Sequence, residues 1–161
     1  MPVLRRLPVK ISEKELLRLQ GSSLSSRLQD RSREAVEEAG KLVRPLATYS
    51  IKRTRQVADS LISLEDGTEF HGENLVRLWQ GATFLGIGVC TIGPLLESRV
   101  SELYGQGNIL AATLLDRAGS LAVESVANGL NYHLCQWASR RGLNMGPRLS
   151  PGYGQWNVVE Q

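Results

Sequence analysis

The alternation of hydrophobic and polar residues along the chain predicts a mixture of short strands and helices. Alternating or unbroken short apolar runs predict strands over residues 4–11, 48–54, 57–64 and 82–91. Apolar residues spaced three and four apart predict helices over residues 13–20, 26–43, 73–80 and 108–141. This order predicts an α+β fold in which a twisted antiparallel sheet is backed by helices, including one long helix towards the C-terminus.

Residues that favour helix or strand ends support these boundaries. Ser12 and Glu15 form a capping box, in which the hydroxyl and the carboxylate bind otherwise unpaired backbone N–H groups. Gly21 is expected to end the first helix and Pro45 the second, with a polar linker between the two helices. Pro94 opens a further helix, where its missing N–H costs little.

The predicted elements differ in how much apolar surface they carry. The strand at 82–91 is apolar on both faces, so we expect it to be the most buried, central strand. The helix at 26–43 is charged and thinly apolar, so we expect it to lie outside the core. Glu65, Asp66 and Gly67 separate two apolar segments and predict a hairpin turn.

The long helix at 108–141 has two faces of different character. The apolar face, expected to pack on the sheet, comprises Leu115, Ala118, Ala122, Val126, Leu130, Leu134 and Trp137. A polar stripe on another face comprises Thr113, Asp116, Ser120, Glu124, Asn128 and Asn131. Asn108 and Gly142 are expected to cap the two ends. Gly119 costs about 1 kcal/mol relative to Ala inside a helix, which predicts that another group packs closely against it.

Composition narrows the class of protein. A chain of 161 residues with 42% hydrophobic and 22% charged residues is typical of one globular domain. No segment is apolar and long enough to cross a bilayer, and no signal-peptide core follows the basic N-terminus. Cys90 and Cys135 lie far apart in apolar surroundings, so we expect free thiols and a cytoplasmic location.

The charges are unevenly distributed along the chain. Residues 1–55 carry 13 of the 19 Lys and Arg residues but only 6 of the 16 acidic residues. One interpretation is a basic face that attracts an acidic protein or a nucleic acid. The other, which we favour, is a solvated helical face, because acidic residues such as Glu34 and Glu38 are interleaved. The scarcity of aromatic residues in this half argues against a platform for single-stranded nucleic acid.

The residues best suited to bind a ligand are concentrated in a loop rich in proline and glycine, residues 144–156, which we call the PG loop. Its sequence is N-M-G-P-R-L-S-P-G-Y-G-Q-W, and this density of Pro and Gly excludes a helix or a central strand. Arg148 can bind a carboxylate or phosphate through two parallel hydrogen bonds. Gly152 and Gly154 permit close approach of the backbone, and Tyr153 and Trp156 offer flat apolar faces.

This loop also carries a family resemblance. R-L-S-P-G-Y-G-Q-W (residues 148–156) resembles the R-x-x-P-G-Y loop of the activation domain of cobalamin-dependent methionine synthase, and the R-x-S-P-G-Y-x-x-W loop of its stand-alone bacterial homologues. D-R-A-G-S-L-A-V-E (residues 116–124) resembles their D-x-x-G-S-x-A-V-E segment. The resemblance extends from about residue 7 to residue 161. Family members continue beyond this point, so it implies that the family's C-terminal segment is missing here.

The resemblance implies a function in reactivating a corrinoid. A family member binds S-adenosylmethionine, whose methyl group passes to reduced cobalamin carried by a methionine synthase or another corrinoid protein. A flavodoxin or ferredoxin-type protein supplies the electron. The implied ligand-binding residues are Ser120, Glu124, Arg148, Ser150, Pro151, Gly152 and Tyr153. Arg148 would bind the carboxylate of the methionine moiety, and Glu124 the positive ammonium or sulfonium group.

Two further observations limit the chemistry. The sequence has no D-x-H-x-x-G cobalamin motif and no Cys/His cluster with metal-ligand spacing, so we assign no metal ligand and no catalytic acid or base. His71 is expected in a turn, and His133 in helix packing or at the surface rather than as a general base. The alternative function is a non-catalytic docking module or subunit for a corrinoid methyltransferase, which would bind its partner through the basic half. Nucleic-acid binding rests only on a pI of about 9.1 and is disfavoured.

Overall fold

The structure, a computed structural model, describes residues 1–5, 7–18, 26–152 and 156. Within these ranges the strands are β1 (Val3–Leu4), β2 (Leu46–Ala58), β3 (Leu61–Leu64), β4 (Glu69–His71) and β5 (Phe84–Thr91). The helices are α1 (Glu13–Arg18), α2 (Ser26–Leu42), α3 (Glu73–Trp79), α4 (Leu95–Gly105) and α5 (Ile109–Ser139).

The five strands form one sheet. β1, β2, β3 and β4 are neighbours in that order, each pair antiparallel, and β5 also pairs with β2. Together with the 31-residue helix α5, this sheet confirms the predicted α+β class with an antiparallel sheet and a long helix in the C-terminal part of the chain.

The chain divides into two compact units. The first, which we call the loop unit, comprises Met1–Pro2, Tyr49–Gly88 and Asn131–Gln161. The second, the helical unit, comprises Val3–Thr48 and Val89–Leu130. The grouping of all 161 residues into a single domain stays a prediction.

The core of the helical unit contradicts one sequence prediction. Leu16 and Leu114 form a cluster with Ala35, and Ala39 is also fully buried, so α2 contributes to the core. The expectation that this helix lies outside the core is therefore wrong. Its buried residues are small, and a count of large apolar side chains underestimates a face built from Ala and Ser.

The predicted ends of the helices are largely confirmed. The backbone N–H of Glu15 donates to Ser12 Oγ at 3.3 Å, and that of Ala111 donates to Asn108 Oδ1 at 3.4 Å. α5 ends with Gly142 at φ 68° and a hydrogen bond from Leu143 N to Ala138 O of 3.1 Å, which is the glycine-capped ending expected. The expected stop of the first helix at Gly21 lies outside the described residues.

The strands differ more from the sequence prediction. The strand expected over residues 4–11 is only Val3–Leu4, because Pro8 has no N–H and the N–H of Lys10 donates to the side chain of Ser125 instead. The strand expected at 48–54 and the start of that expected at 57–64 form one 13-residue strand, β2, with a register shift between Thr54 and Gln56. The break in alternation is thus a bulge rather than a strand end.

The prediction that residues 82–91 form the most buried strand is wrong. In β5, Leu85 is buried, but Phe84 is 39% and Val89 is 62% exposed. An apolar run predicts burial on both faces only when both faces are covered by other elements.

Two tight turns build the sheet of the loop unit. The predicted turn at Asp66 and Gly67 joins β3 to β4, with Gly67 at φ 87°. A second turn joins β2 to β3 at Asp59 and Ser60, whose φ values are 53° and 66°. The sequence does not predict this turn, because two-residue turns of this kind usually contain glycine.

Asp66 makes the stability of the hairpin turn between β3 and β4 depend on pH. The backbone N–H of Thr68, 3.1 Å from Oδ1, and then the ammonium of Lys52, 3.1 Å from Oδ2, lower the pKa of Asp66 to about 2. A carboxyl whose pKa is lower in the folded state stabilises the fold above its unfolded pKa of about 4, and this contribution is lost as the pH falls towards 2. We therefore expect Asp66→Asn to lower the melting temperature at pH 6 but not at pH 2. A constant difference at both pH values would contradict this role.

Gly119 confirms the predicted close packing within the helical unit. A Cβ added to this residue would lie 2.7 Å from Leu96 Cδ2 and 3.6 Å from Ile92 Cδ1. Leu96 is only 2% exposed, so it has little room to move away. The glycine therefore allows α5 to approach these side chains closely.

We expect Gly119→Ala to destabilise the fold, whereas Gly40→Ala should stabilise it. Both glycines lie in helices, where Ala is preferred by up to about 1 kcal/mol. A Cβ on Gly40 would meet no atom within 4 Å, but the one on Gly119 overpacks the core at a cost of about 1–3 kcal/mol. Urea unfolding of the two variants measures the difference. Equal changes in the free energy of unfolding would rule out a packing role for Gly119.

Candidate functional site

The described part of the PG loop is fixed to the loop unit at several points. The indole N–H of Trp79 donates to the carbonyl of Pro147 at 3.5 Å, and the N–H of Gly152 donates to the carbonyl of Trp156 at 2.8 Å. Leu149 packs against the core of this unit, whose buried members are Ile62, Leu64, Leu75 and Leu85. An irregular segment is therefore held in place by its two ends and by one apolar side chain between them.

Trp156 anchors the far end of the loop. Its ring lies edge-to-face with Phe70, with centroids 5.9 Å apart, and with Trp79 at 6.1 Å. Such aromatic pairs contribute beyond the area they bury. The apolar surface of Trp156, which the sequence offered as a ligand platform, thus packs against the protein core.

The residues between these anchors are the predicted ligand-binding residues. Arg148 and Ser150 are exposed, and Pro151 is half-buried. Gly152 is exposed and adopts φ 92°, a conformation that side-chain-bearing residues avoid, so glycine is required here by the backbone. Tyr153 and Gly154 lie outside the described residues.

Ser120 and Glu124 lie on α5, one turn apart, and both are exposed. The hydroxyl of Ser120 donates to the carbonyl of Asp116 at 3.4 Å. These residues belong to the helical unit, whereas the PG loop belongs to the loop unit. That Glu124 and Arg148 contact the same ligand therefore stays a prediction.

A cavity of about 320 Å³ adjoins the start of the PG loop, and sequence analysis did not identify it. It is lined by Ile51, Gly81, Ala82, Thr83, Phe84, Gly86, Leu134, Trp137, Ala138, Gly142, Leu143, Asn144 and Met145. Every one of these residues lies in the loop unit. The feature of the sequence that could have indicated this cavity is its three glycines, Gly81, Gly86 and Gly142, since glycine often marks a place where a ligand approaches the backbone closely.

The aromatic wall of this cavity is held in a defined orientation. The rings of Trp137 and Phe84 are edge-to-face, with centroids 5.9 Å apart and an angle of 78°. The guanidinium of Arg141 lies 4.2 Å from the centre of the Trp137 ring and donates to the Trp137 carbonyl at 3.3 Å. Trp137 was expected to pack on the sheet, and its contact with Phe84 of β5 confirms this.

The basic N-terminal half carries ion pairs along α2. Arg31 contacts Glu34 at 2.8 Å, and Glu38 accepts a hydrogen bond from Arg99 at 2.7 Å. Arg33 lies between Glu13, at 3.7 Å, and Asp30, at 3.9 Å. These acidic partners offset the positive charge along α2, which supports the interpretation of its charged face as a solvated surface.

The titratable residues offer little further chemistry. No group of three His, Cys, Asp or Glu residues within the described ranges could hold a metal ion. His133 Nε2 lies 2.8 Å from the hydroxyl of Tyr49, which is consistent with a packing role, and Cys90 and Cys135 are not joined in a disulfide. None of the helices in the described part of the chain is long and apolar enough to cross a membrane.

Comparison with known proteins gives no independent assignment. No protein-family model and no curated protein sequence matches the chain.

Proposed function

We propose that this protein binds S-adenosylmethionine and supports the reductive methylation of a cobalamin carried by a corrinoid protein or methionine synthase. One observation supports this function most strongly. Arg148 is an exposed guanidinium in a loop that is fixed on both sides by Pro147, Leu149 and the Gly152–Trp156 hydrogen bond. A positioned guanidinium suits a carboxylate better than one on a loosely held loop, because less side-chain and loop ordering is needed on binding.

The charges of the proposed ligand match the side chains assigned to it. S-adenosylmethionine carries a carboxylate, an ammonium and a sulfonium. Arg148 would bind the carboxylate, and the backbone around Ser150 and Gly152 would contact the methionine moiety, with Pro151 shaping the loop and Tyr153 flanking the ligand. Glu124, with Ser120 one turn away, would face the positive groups.

The protein's contribution to methyl transfer would be positioning. S-adenosylmethionine would supply the methyl group when bound, and a flavodoxin or ferredoxin-type protein would supply the electron that the partner's cobalamin requires. The proposed side chains hold the donor by its amino-acid end and leave the methyl group accessible to the partner. No proton transfer is required, so orientation and proximity account for the effect of the protein.

A thermal-shift measurement tests binding without a partner protein. A ligand present at 100 times its dissociation constant stabilises the folded state by about 2.7 kcal/mol. We expect S-adenosylmethionine to raise the melting temperature and methionine alone to raise it less. An unchanged melting temperature at millimolar S-adenosylmethionine would contradict the proposal and favour the docking-module alternative.

Glu124→Gln tests the proposed role of Glu124. The substitution keeps the shape of the side chain and removes its charge. We expect it to weaken S-adenosylmethionine binding about 5- to 10-fold, as for a partly screened charge pair of about 1 kcal/mol. S-adenosylhomocysteine, in which the sulfur is a neutral thioether, should lose less affinity.

Asp116→Asn, two helical turns before Glu124 on the same stripe of α5, is the matched control and should bind both ligands as the unsubstituted protein does. Equal losses for both ligands would place Glu124 at the ammonium instead. No loss for either ligand would remove it from the site.

A further inference from the structure

We propose that the cavity beside the PG loop binds the adenine ring of S-adenosylmethionine. This inference rests on the proposed function, and it assigns a ligand group to Trp137, Phe84 and Asn144, which the family resemblance did not include. The cavity of about 320 Å³ is at the lower end of the range of small-molecule sites, is partly open to solvent, and is lined by aromatic and aliphatic side chains together with a similar area of polar groups.

The walls of the cavity suit a flat ring. Phe84, Met145 and Trp137 all line the cavity, and Phe84 is 39% and Met145 is 43% exposed, so apolar side-chain surface is accessible there. Arg141 holds the Trp137 ring in place through its contact at 4.2 Å. Aromatic side chains and adaptable methionine are the residues on which planar heterocycles commonly stack.

Glycine residues keep the cavity open. Gly81 and Gly142 have φ values of 77° and 68°, and a Cβ added to either would meet no atom within 4 Å. The backbone conformation therefore requires glycine at positions where the absence of a side chain also leaves room. Thr83 is an exposed residue that lines the cavity, so Thr83→Phe adds bulk at the cavity wall without replacing a buried core residue.

Asn144 supplies the group that distinguishes adenine from other rings. Its carboxamide has one acceptor and one donor side, and Asn144 is an exposed residue that lines the cavity. Asparagine pairs with adenine by accepting from the 6-amino group and donating to N7. Hypoxanthine, the base of inosine, has an oxygen in place of that amino group and cannot make the same pair.

The spacing along the PG loop fits the two ends of one ligand. Asn144 lines the cavity, and Arg148 follows four residues later, so their backbones are at most about 14 Å apart. S-adenosylmethionine carries its base at one end and its carboxylate at the other. A single short segment can therefore hold both ends, with Asn144 at the base and Arg148 at the amino acid.

The test is an NMR titration of the full chain with adenosine and with inosine, following the three indole N–H signals. We expect adenosine to shift the Trp137 signal more than that of Trp156, and inosine to bind about 10-fold more weakly because one of the two hydrogen bonds is lost. Asn144→Ala, which removes both hydrogen bonds, should weaken adenosine at least as much, and Thr83→Phe should block it. Asn128→Ala, an exposed asparagine on α5 outside the cavity, is the matched control and should bind as the unsubstituted protein does.

Two results would overturn the inference: no adenosine-dependent shift of Trp137, or equal binding of adenosine and inosine. Failure of the proposed function is distinguishable from failure of the cavity assignment. If S-adenosylmethionine binds tightly to Thr83→Phe, the cavity assignment is wrong and the function stands. If adenosine binds at Trp137 but S-adenosylmethionine binds no more tightly than adenosine, the cavity assignment stands and the function is wrong.

Discussion

Arg148→Ala is expected to abolish measurable binding of S-adenosylmethionine while leaving the melting temperature nearly unchanged. A bidentate, charge-assisted pair with the ligand carboxylate contributes about 2–4 kcal/mol, so its loss should weaken binding by about 30- to 1000-fold. The side chain is exposed, and the loop is anchored through Pro147, Leu149 and Trp156 rather than through the guanidinium alone. Calorimetric titration and thermal unfolding of the same preparation measure the two quantities.

Two further variants define the role of the guanidinium. Arg148→Lys keeps the charge but not the paired donors, so we expect an intermediate loss of affinity. Arg140→Ala removes another exposed arginine of the loop unit and should leave binding unchanged. Unaltered binding by Arg148→Ala would exclude its carboxylate role. A large fall in its melting temperature would show instead that Arg148 holds the fold together.

Trp156→Ala, in contrast to Arg148→Ala, is expected to lower the stability of the fold strongly. Truncating a core tryptophan typically costs about 3–5 kcal/mol, and the half-buried position of Trp156 places the expected loss near the lower end. Phe70 and Trp79 would each lose an edge-to-face partner. Urea unfolding measures the loss. The change should appear in the urea concentration at the midpoint of unfolding rather than in the slope of the free energy of unfolding against urea concentration.

Trp156→Phe separates aromatic packing from size. It retains an aromatic ring against Phe70 and Trp79, so we expect about half the loss of the alanine variant. If Trp156→Ala were as stable as the unsubstituted protein, the loop would not be anchored at this end, and Trp156 would be available as a ligand platform. The two residues at the ends of the R-L-S-P-G-Y-G-Q-W motif therefore have separable expected roles.

The sequence predicted those features that depend on local rules. The capping residues Ser12, Asn108 and Gly142 act through the backbone within a few positions, and each behaves as expected. The close packing at Gly119 was also predictable, because an interior helical glycine has a cost that needs a structural reason.

Features that depend on distant parts of the chain were not predicted. The burial of α2 depends on Leu16 and Leu114, which lie far from Ala35 in sequence. The exposure of Val89 depends on which elements cover β5, and hydropathy does not contain this information. In both cases the outcome is set by tertiary packing rather than by the residue's own preference.

The candidate site likewise has one part that the sequence predicted and one part that it did not. The PG loop was identifiable because Pro, Gly and Arg in this order restrict the backbone and supply a charge within one short segment. The cavity beside it was not identifiable, because its walls come from β2, β5, α5 and the loop start, and only the fold brings Phe84 and Trp137 together. The combination of Ser120 and Glu124 with Arg148 stays a prediction, since it concerns residues of both units.

Isothermal titration calorimetry of the full chain with S-adenosylmethionine tests the central claim most directly. We expect saturable binding at one site per chain, with S-adenosylmethionine binding more tightly than adenosine or methionine alone, because each fragment keeps only one of the two proposed anchors. The absence of heat from binding at millimolar ligand, together with an intact fold, would contradict it.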